Sequence, residues 1–135
     1  MNPHDNLGLA RFLHGKPKGA PDEAATRGAC GRAYYSAFGV IRDILETARF
    51  NVPSRGAHET VLNLLQRSSD KDVLHVASMY QQLRRTRDDS DYDVGLRTKA
   101  PFGTRESERA IGLSEKIISQ VEEVAKKEPT LSIST

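Results

Sequence analysis

Apolar positions recur along the chain at intervals of three and four, the period of an amphipathic helix. No useful stretch alternates with the period of two that a half-buried strand requires. Leu7, Leu9, Ala10 and Leu13 predict a short first helix closed by Gly15 and Pro17, and 16–21 reads as a loop. Asp22 suits an N-cap, and from there to about Ala48 nothing but tolerated glycines interrupts a second helix, roughly 40 Å long. Its stripe runs Ala29, Ala33, Ala37, Ile41, Ile44, Ala48, flanked by Tyr34, Phe38 and Leu45. Small residues at successive i+4 positions admit a close neighbour, so this is the expected central helix.

After a turn marked by Asn51, Pro53 and Gly56, a third helix is predicted from about Ala57 to Arg67, burying Val61, Leu62, Leu64 and Leu65. Ser68-Ser69-Asp70 ends it and caps a fourth, over 73–92, whose stripe is Val73, Val76, Tyr80, Leu83 and then Arg87. Residues 93–103, with Gly95, Pro101 and Gly103, read as a crossing loop. Thr104 caps a last helix, with Glu106 and Glu108 where the helix dipole favours them. Its stripe is Ala110, Leu113, Ile117, Val121 and Val124, and Pro129 stops it. The pattern predicts an all-α, up-and-down bundle of four main helices plus a short N-terminal helix. Residues 1–128 form a single domain, and 129–135 are expected to be a flexible, frayed tail.

Composition narrows the function classes. A 37% hydrophobic share and a 28% charged share, without tryptophan, fit amphipathic helices better than a thick apolar sheet. The formal net charge of +2 is too mild to argue for nucleic acid from the total, so only clustering can do so. Cys30 is the one cysteine, which excludes an intramolecular disulfide and a cysteine-based zinc site. No apolar run is long enough to span a bilayer, and Met1-Asn2-Pro3-His4-Asp5 does not look like a signal peptide. A cytoplasmic protein without a membrane partner is the expectation.

Most motifs are missing. There is no Gly-rich phosphate loop, no second histidine four residues after His58, and no inward Glu with Glu-x-x-His pairs for a di-iron site. No metal or other cofactor is expected. What remains is the charged end of the fourth helix, Arg84-Arg85-Thr86-Arg87-Asp88-Asp89-Ser90-Asp91-Tyr92. Arg84, Arg87, Asp88 and Asp91 share a face, which predicts i,i+4 pairs of Arg84 with Asp88 and Arg87 with Asp91. Arg87 also continues the buried stripe, so its head belongs at the bundle rim, partly desolvated. There, oriented by Asp91 and beside Tyr92, it could grip a phosphodiester, with Arg84 and Arg85 adding positive charge.

The run Gly31-Arg32-Ala33-Tyr34-Tyr35-Ser36-Ala37-Phe38 resembles the signature of the long second helix of HEPN domains, small helical domains of prokaryotic toxins, defence systems and nucleotidyltransferase partners. Ala57-His58 is similar to that family's third-helix start, and Arg87-Asp88-Asp89-Ser90-Asp91-Tyr92-Asp93 to the end of its fourth helix. The resemblance spans nearly the whole chain, from about Leu7 to Val124. It implies a homodimer whose charged segments meet in a cleft that acts on or binds RNA. Active members cut RNA without metal, using an arginine and a histidine four to six residues later. The imidazole moves protons off the 2′-hydroxyl and onto the leaving oxygen, and the arginine stabilises the phosphate.

This sequence departs from that pattern. Arg87 matches the arginine, but Asp91, Tyr92 and Asp93 fill the window, and no histidine follows His75. The expected catalytic set is therefore Arg87 with Asp91 or Tyr92. The RNA- or nucleotide-binding candidates are Arg84, Arg85, Asp88, Arg32 and Tyr35. The resemblance also leaves a non-catalytic nucleotide-binding or interaction module, partnering a nucleotidyltransferase, with Tyr92 as a candidate acceptor of a transferred nucleotide. A purely structural dimerisation domain is the third reading. Tyr34 and Phe38 are expected to pack in the core, Arg32 and Tyr35 to border the cleft or lie exposed, and Cys30 to be a small core residue. His58 reads as structural or solvated, with a place in the cleft as the other possibility.

Overall fold

The computed structural model describes residues 2–14, 22–92 and 104–134, with side chains described over 2–12, 28–87 and 106–134. They form α1 (Pro3–His14), α2 (Asp22–Thr47), α3 (Ala57–Gln66), α4 (Lys71–Tyr92) and α5 (Thr104–Lys127), with no strand or sheet among them. The all-helical bundle expected from the periodicity is therefore the fold. The two loops expected over 16–21 and 93–103 lie outside the described residues, as do the expected capping side chains of Asp22 and Thr104.

Local chemistry accounts for several helix ends. The Asn2 Oδ1 accepts from the His4 N–H at 2.9 Å, and Pro3, lacking a donor, occupies the first helical position without loss. Gly56 enters α3 in the left-handed region at φ 72°, where a side chain would be strained. Asp70 caps α4 as expected: its Oδ1 accepts from Asp72 N–H at 2.7 Å and from Val73 N–H at 3.3 Å.

Helix α2 is the centre of the packing. Ala29, Ala33, Ala37 and Ile41 are fully buried on its stripe, and Ser114 of α5 donates to the Ala33 carbonyl at 2.8 Å. On another side α1 comes so close that a Cβ at Gly39 would lie 2.7 Å from Pro3 Cγ. The α4 stripe is buried as expected at Val73, Val76, Tyr80 and Leu83, and Cys30 is a buried core residue.

The C-terminal segment corrects the expectation of a frayed tail over 129–135. Leu131 is fully buried and Ile133 nearly so. Ser68 donates to the Leu131 carbonyl at 2.6 Å, Ser69 N–H to the Ser132 carbonyl at 3.1 Å, and Ser68 pairs with Ile133 in an isolated antiparallel bridge. Leu131 and Ser132 both take positive φ, 55° and 54°, to turn the chain back. Burial of two large aliphatic side chains offsets that strain. Two apolar residues are too few to register as a period, so the segment reads as tail. Leu131→Ala should lower unfolding free energy by about 2–5 kcal/mol in urea denaturation, whereas a frayed tail would give no change.

Candidate functional site

The rim of the bundle where α2, α3 and α4 meet gathers an unusual set of side chains. Its base is a buried hydrogen-bonded chain. Tyr80 of α4 and Tyr34 of α2 have their hydroxyls 2.7 Å apart, and Tyr34 Oη lies 2.6 Å from His58 Nδ1 at the start of α3. Both tyrosines are fully buried. Their rings stack with centroids 5.5 Å apart, and Phe38 packs on the His58 ring at 4.2 Å. Tyr34 and Phe38 are four residues apart on α2, so both face α3.

Above this base stands Arg87. Its guanidinium carbon lies 5.6 Å from the Tyr34 ring centroid and 5.5 Å from that of Tyr35. Its Nη2 donates to Tyr35 Oη at 3.0 Å. Cation–π contact with two rings and a hydrogen bond to one of them hold the guanidinium in one orientation. Arg87 is half-buried, as its place on the stripe predicted, and Tyr35 is 38% exposed.

Arg84, one turn earlier, also reaches across to another helix. It donates to Glu59 Oε1 of α3 at 2.7 Å, a pair that crosses between helices. The side chain of Asp88 lies outside the described residues, as do those of Asp91 and Tyr92. Helical spacing identified the Arg84 face but could not show that the third helix puts a carboxylate beside it. The hydrogen bond from Arg84, and then its charge, hold the Glu59 carboxyl below its ordinary range.

The other candidates divide. Tyr35 belongs to the site. Arg32 is exposed and borders a groove of about 380 Å³ with Asn6, Tyr35 and Gly39, its Nη1 3.5 Å from Asn6 Oδ1. Arg85 is exposed and, one residue from Arg84 and two from Arg87, does not share their face. Sequence reasoning had no role for Tyr80, Glu59 or the Tyr34 hydroxyl, and left His58 open. A second groove, of about 370 Å³, is lined by His58, Phe38, Arg42, Glu46 and Ser54. Arg42 stands over the Phe38 ring at 5.3 Å and 3.5 Å from Glu46. Among the described residues no group of histidine, cysteine, aspartate or glutamate could hold a metal, and no helix is long and apolar enough to cross a membrane.

Comparison of the chain with models of known families, with characterised proteins and with solved structures finds no match. The side chains themselves thus carry the functional reading. They bring together two arginines, one seated on aromatic rings and one paired with Glu59, beside an imidazole and a half-exposed tyrosine.

Burial pushes the Tyr34 hydroxyl up to about 12 despite the hydrogen bond from Tyr80, and burial pushes Tyr80 up as well. A raised folded-state value means that the contribution to stability is whole below the unfolded value near 10 and is lost as pH climbs towards 12. Unfolding free energy should therefore fall between pH 10 and about 12. Tyr34→Phe should fall less steeply there while costing about 1–3 kcal/mol at neutral pH through the broken chain. Urea melts at several pH values measure both.

Proposed function

We propose that this chain is a HEPN-like helical module that binds RNA. Arg87 and Arg84 hold a phosphodiester at the α2–α3–α4 rim, in a cleft completed by a second copy of the chain. The carrying observation is the seating of Arg87 over Tyr34 and Tyr35 with its hydrogen bond to Tyr35. A guanidinium is weakly hydrated and presents a rigid fork, so one fixed in place recognises a phosphate with less ordering cost than a loose side chain. Tyr35, half-exposed beside it, offers a ring on which an unpaired base can stack. Arg32 and Arg42, each three residues along α2 from Tyr35 and Gly39 respectively, extend positive charge over the two adjoining grooves.

A second reading is a nucleotide-binding partner of a nucleotidyltransferase. It uses the same arginine and is favoured by the sequence, which places Asp91-Tyr92-Asp93 where active ribonucleases carry histidine. Titration with ATP alongside RNA separates the two.

Fluorescence anisotropy with labelled single-stranded RNA, at low salt in EDTA, should give binding that Arg87→Ala weakens by about ten- to a hundredfold, the value of a charged hydrogen bond. Arg87→Lys should recover only part, and Arg85→Ala should change little. An affinity indifferent to Arg87→Ala would sink the reading. Light scattering at micromolar concentration should give the mass of a dimer, and a monomer would remove the shared cleft.

A further inference from the structure

The buried tyrosine chain decides what His58 can contribute to this site. Each hydroxyl has one proton to give. Among the described residues Tyr80 Oη has Tyr34 Oη as its hydrogen-bond partner, and the Tyr80 side chain is fully buried. Its proton therefore goes to Tyr34, since a buried donor left unmade carries its whole desolvation penalty. Tyr34, accepting from Tyr80, gives its own proton to His58 Nδ1 across 2.6 Å. With Nδ1 as an acceptor, the neutral ring carries its proton on Nε2, the nitrogen on the side away from Tyr34.

We propose that His58 is held as the neutral Nε2–H tautomer and acts as a hydrogen-bond donor to a phosphate oxygen of bound RNA, so that the site grips RNA without cutting it. This rests on the RNA-binding reading above. His58 lines the groove beside its imidazole together with Arg42, Ser54 and Glu46, the last an exposed carboxylate 3.5 Å from Arg42 that a phosphate would displace, and Phe38 forms its wall towards Tyr35. A strand held by Arg87 can thus place its next phosphate against His58 and Arg42.

The same hydrogen-bond chain disqualifies His58 as a proton shuttle. Cleavage by the 2′-hydroxyl forms a 2′-O–P bond and breaks the P–O5′ bond, while one proton leaves the 2′-oxygen and another reaches O5′. The first transfer needs a lone pair on the nitrogen facing the RNA. Here the lone pair is on Nδ1 and is occupied by Tyr34. Freeing it would reverse both hydroxyls and strand the Tyr80 proton in the core.

Two measurements test this. Long-range ¹H–¹⁵N NMR on the protein without RNA, with His58 assigned by its loss in His58→Gln, should find Nε2 protonated and Nδ1 bare at pH 7. A Nδ1–H tautomer or a doubly protonated ring would overturn the proposal. With labelled single-stranded RNA in EDTA, His58→Ala should lose about five- to tenfold in affinity, near the value of one hydrogen bond. His58→Gln, whose amide can replace Nε2–H, should stay within about twofold of the parent, with the RNA intact throughout. Cleavage by the parent that disappears in His58→Gln, or a His58→Gln affinity as low as that of His58→Ala, would refute it. RNA binding unaffected by Arg87→Ala would instead remove the RNA reading. The tautomer, measured without RNA, is decided separately.

Discussion

A polar chain of three side chains, Tyr80 to Tyr34 to His58, runs through the junction of α2, α3 and α4, and the site is built on it. A hydroxyl inside a core is costly when it lacks a partner, so the chain works as a unit. Removing Tyr34 or His58 leaves the hydroxyl before it without an acceptor. It ties α4 to α2 and α2 to the first turn of α3, and so fixes where the short third helix begins. The rings that carry these hydroxyls also form the surface beneath Arg87. Structural support and candidate chemistry are here the same side chains.

The two arginines of α4 are held in different ways. Arg84 crosses to Glu59, an exposed carboxylate, and closes α3 against α4 at the surface. An exposed pair of this kind adds little to stability, but it sets the position of a charge. Arg87 rests on the faces of Tyr34 and Tyr35, where partial desolvation strengthens its attraction for an anion. The result is a rim with one cation paired across helices and another seated on aromatic ground. The far end of the molecule is closed differently, by Leu131 and Ile133 folding back onto the α3–α4 turn through Ser68.

The helices were legible because their apolar residues repeat over many turns. The α2 stripe of alanines, the α4 stripe ending in Arg87 and the Asp70 cap are all local properties of the chain. Arg87 stood out because a charge on a buried stripe needs a partner, and Tyr35 was already a candidate from its place in α2. The pairing of Arg84 with Glu59 was not legible. Intrahelical spacing nominates Asp88, whereas Glu59 lies 25 residues away and meets it only through the packing of α3. The partner of His58 was still less visible, since Tyr34 lies 24 residues before it and meets it only through the packing of α2 against α3.

Sequence alone determined the number and order of the described helices, their buried faces and the half-buried place of Arg87 at the end of the α4 stripe, because these depend on neighbours three and four residues apart. Tertiary structure alone decided the partners. It brought Tyr80 and His58 to opposite sides of one hydroxyl, seated Arg87 over two rings of another helix, and packed a C-terminal segment that composition marks as tail. Those contacts join residues far apart along the chain. Their energies come from desolvation and hydrogen-bond closure in the assembled bundle, which no local pattern encodes.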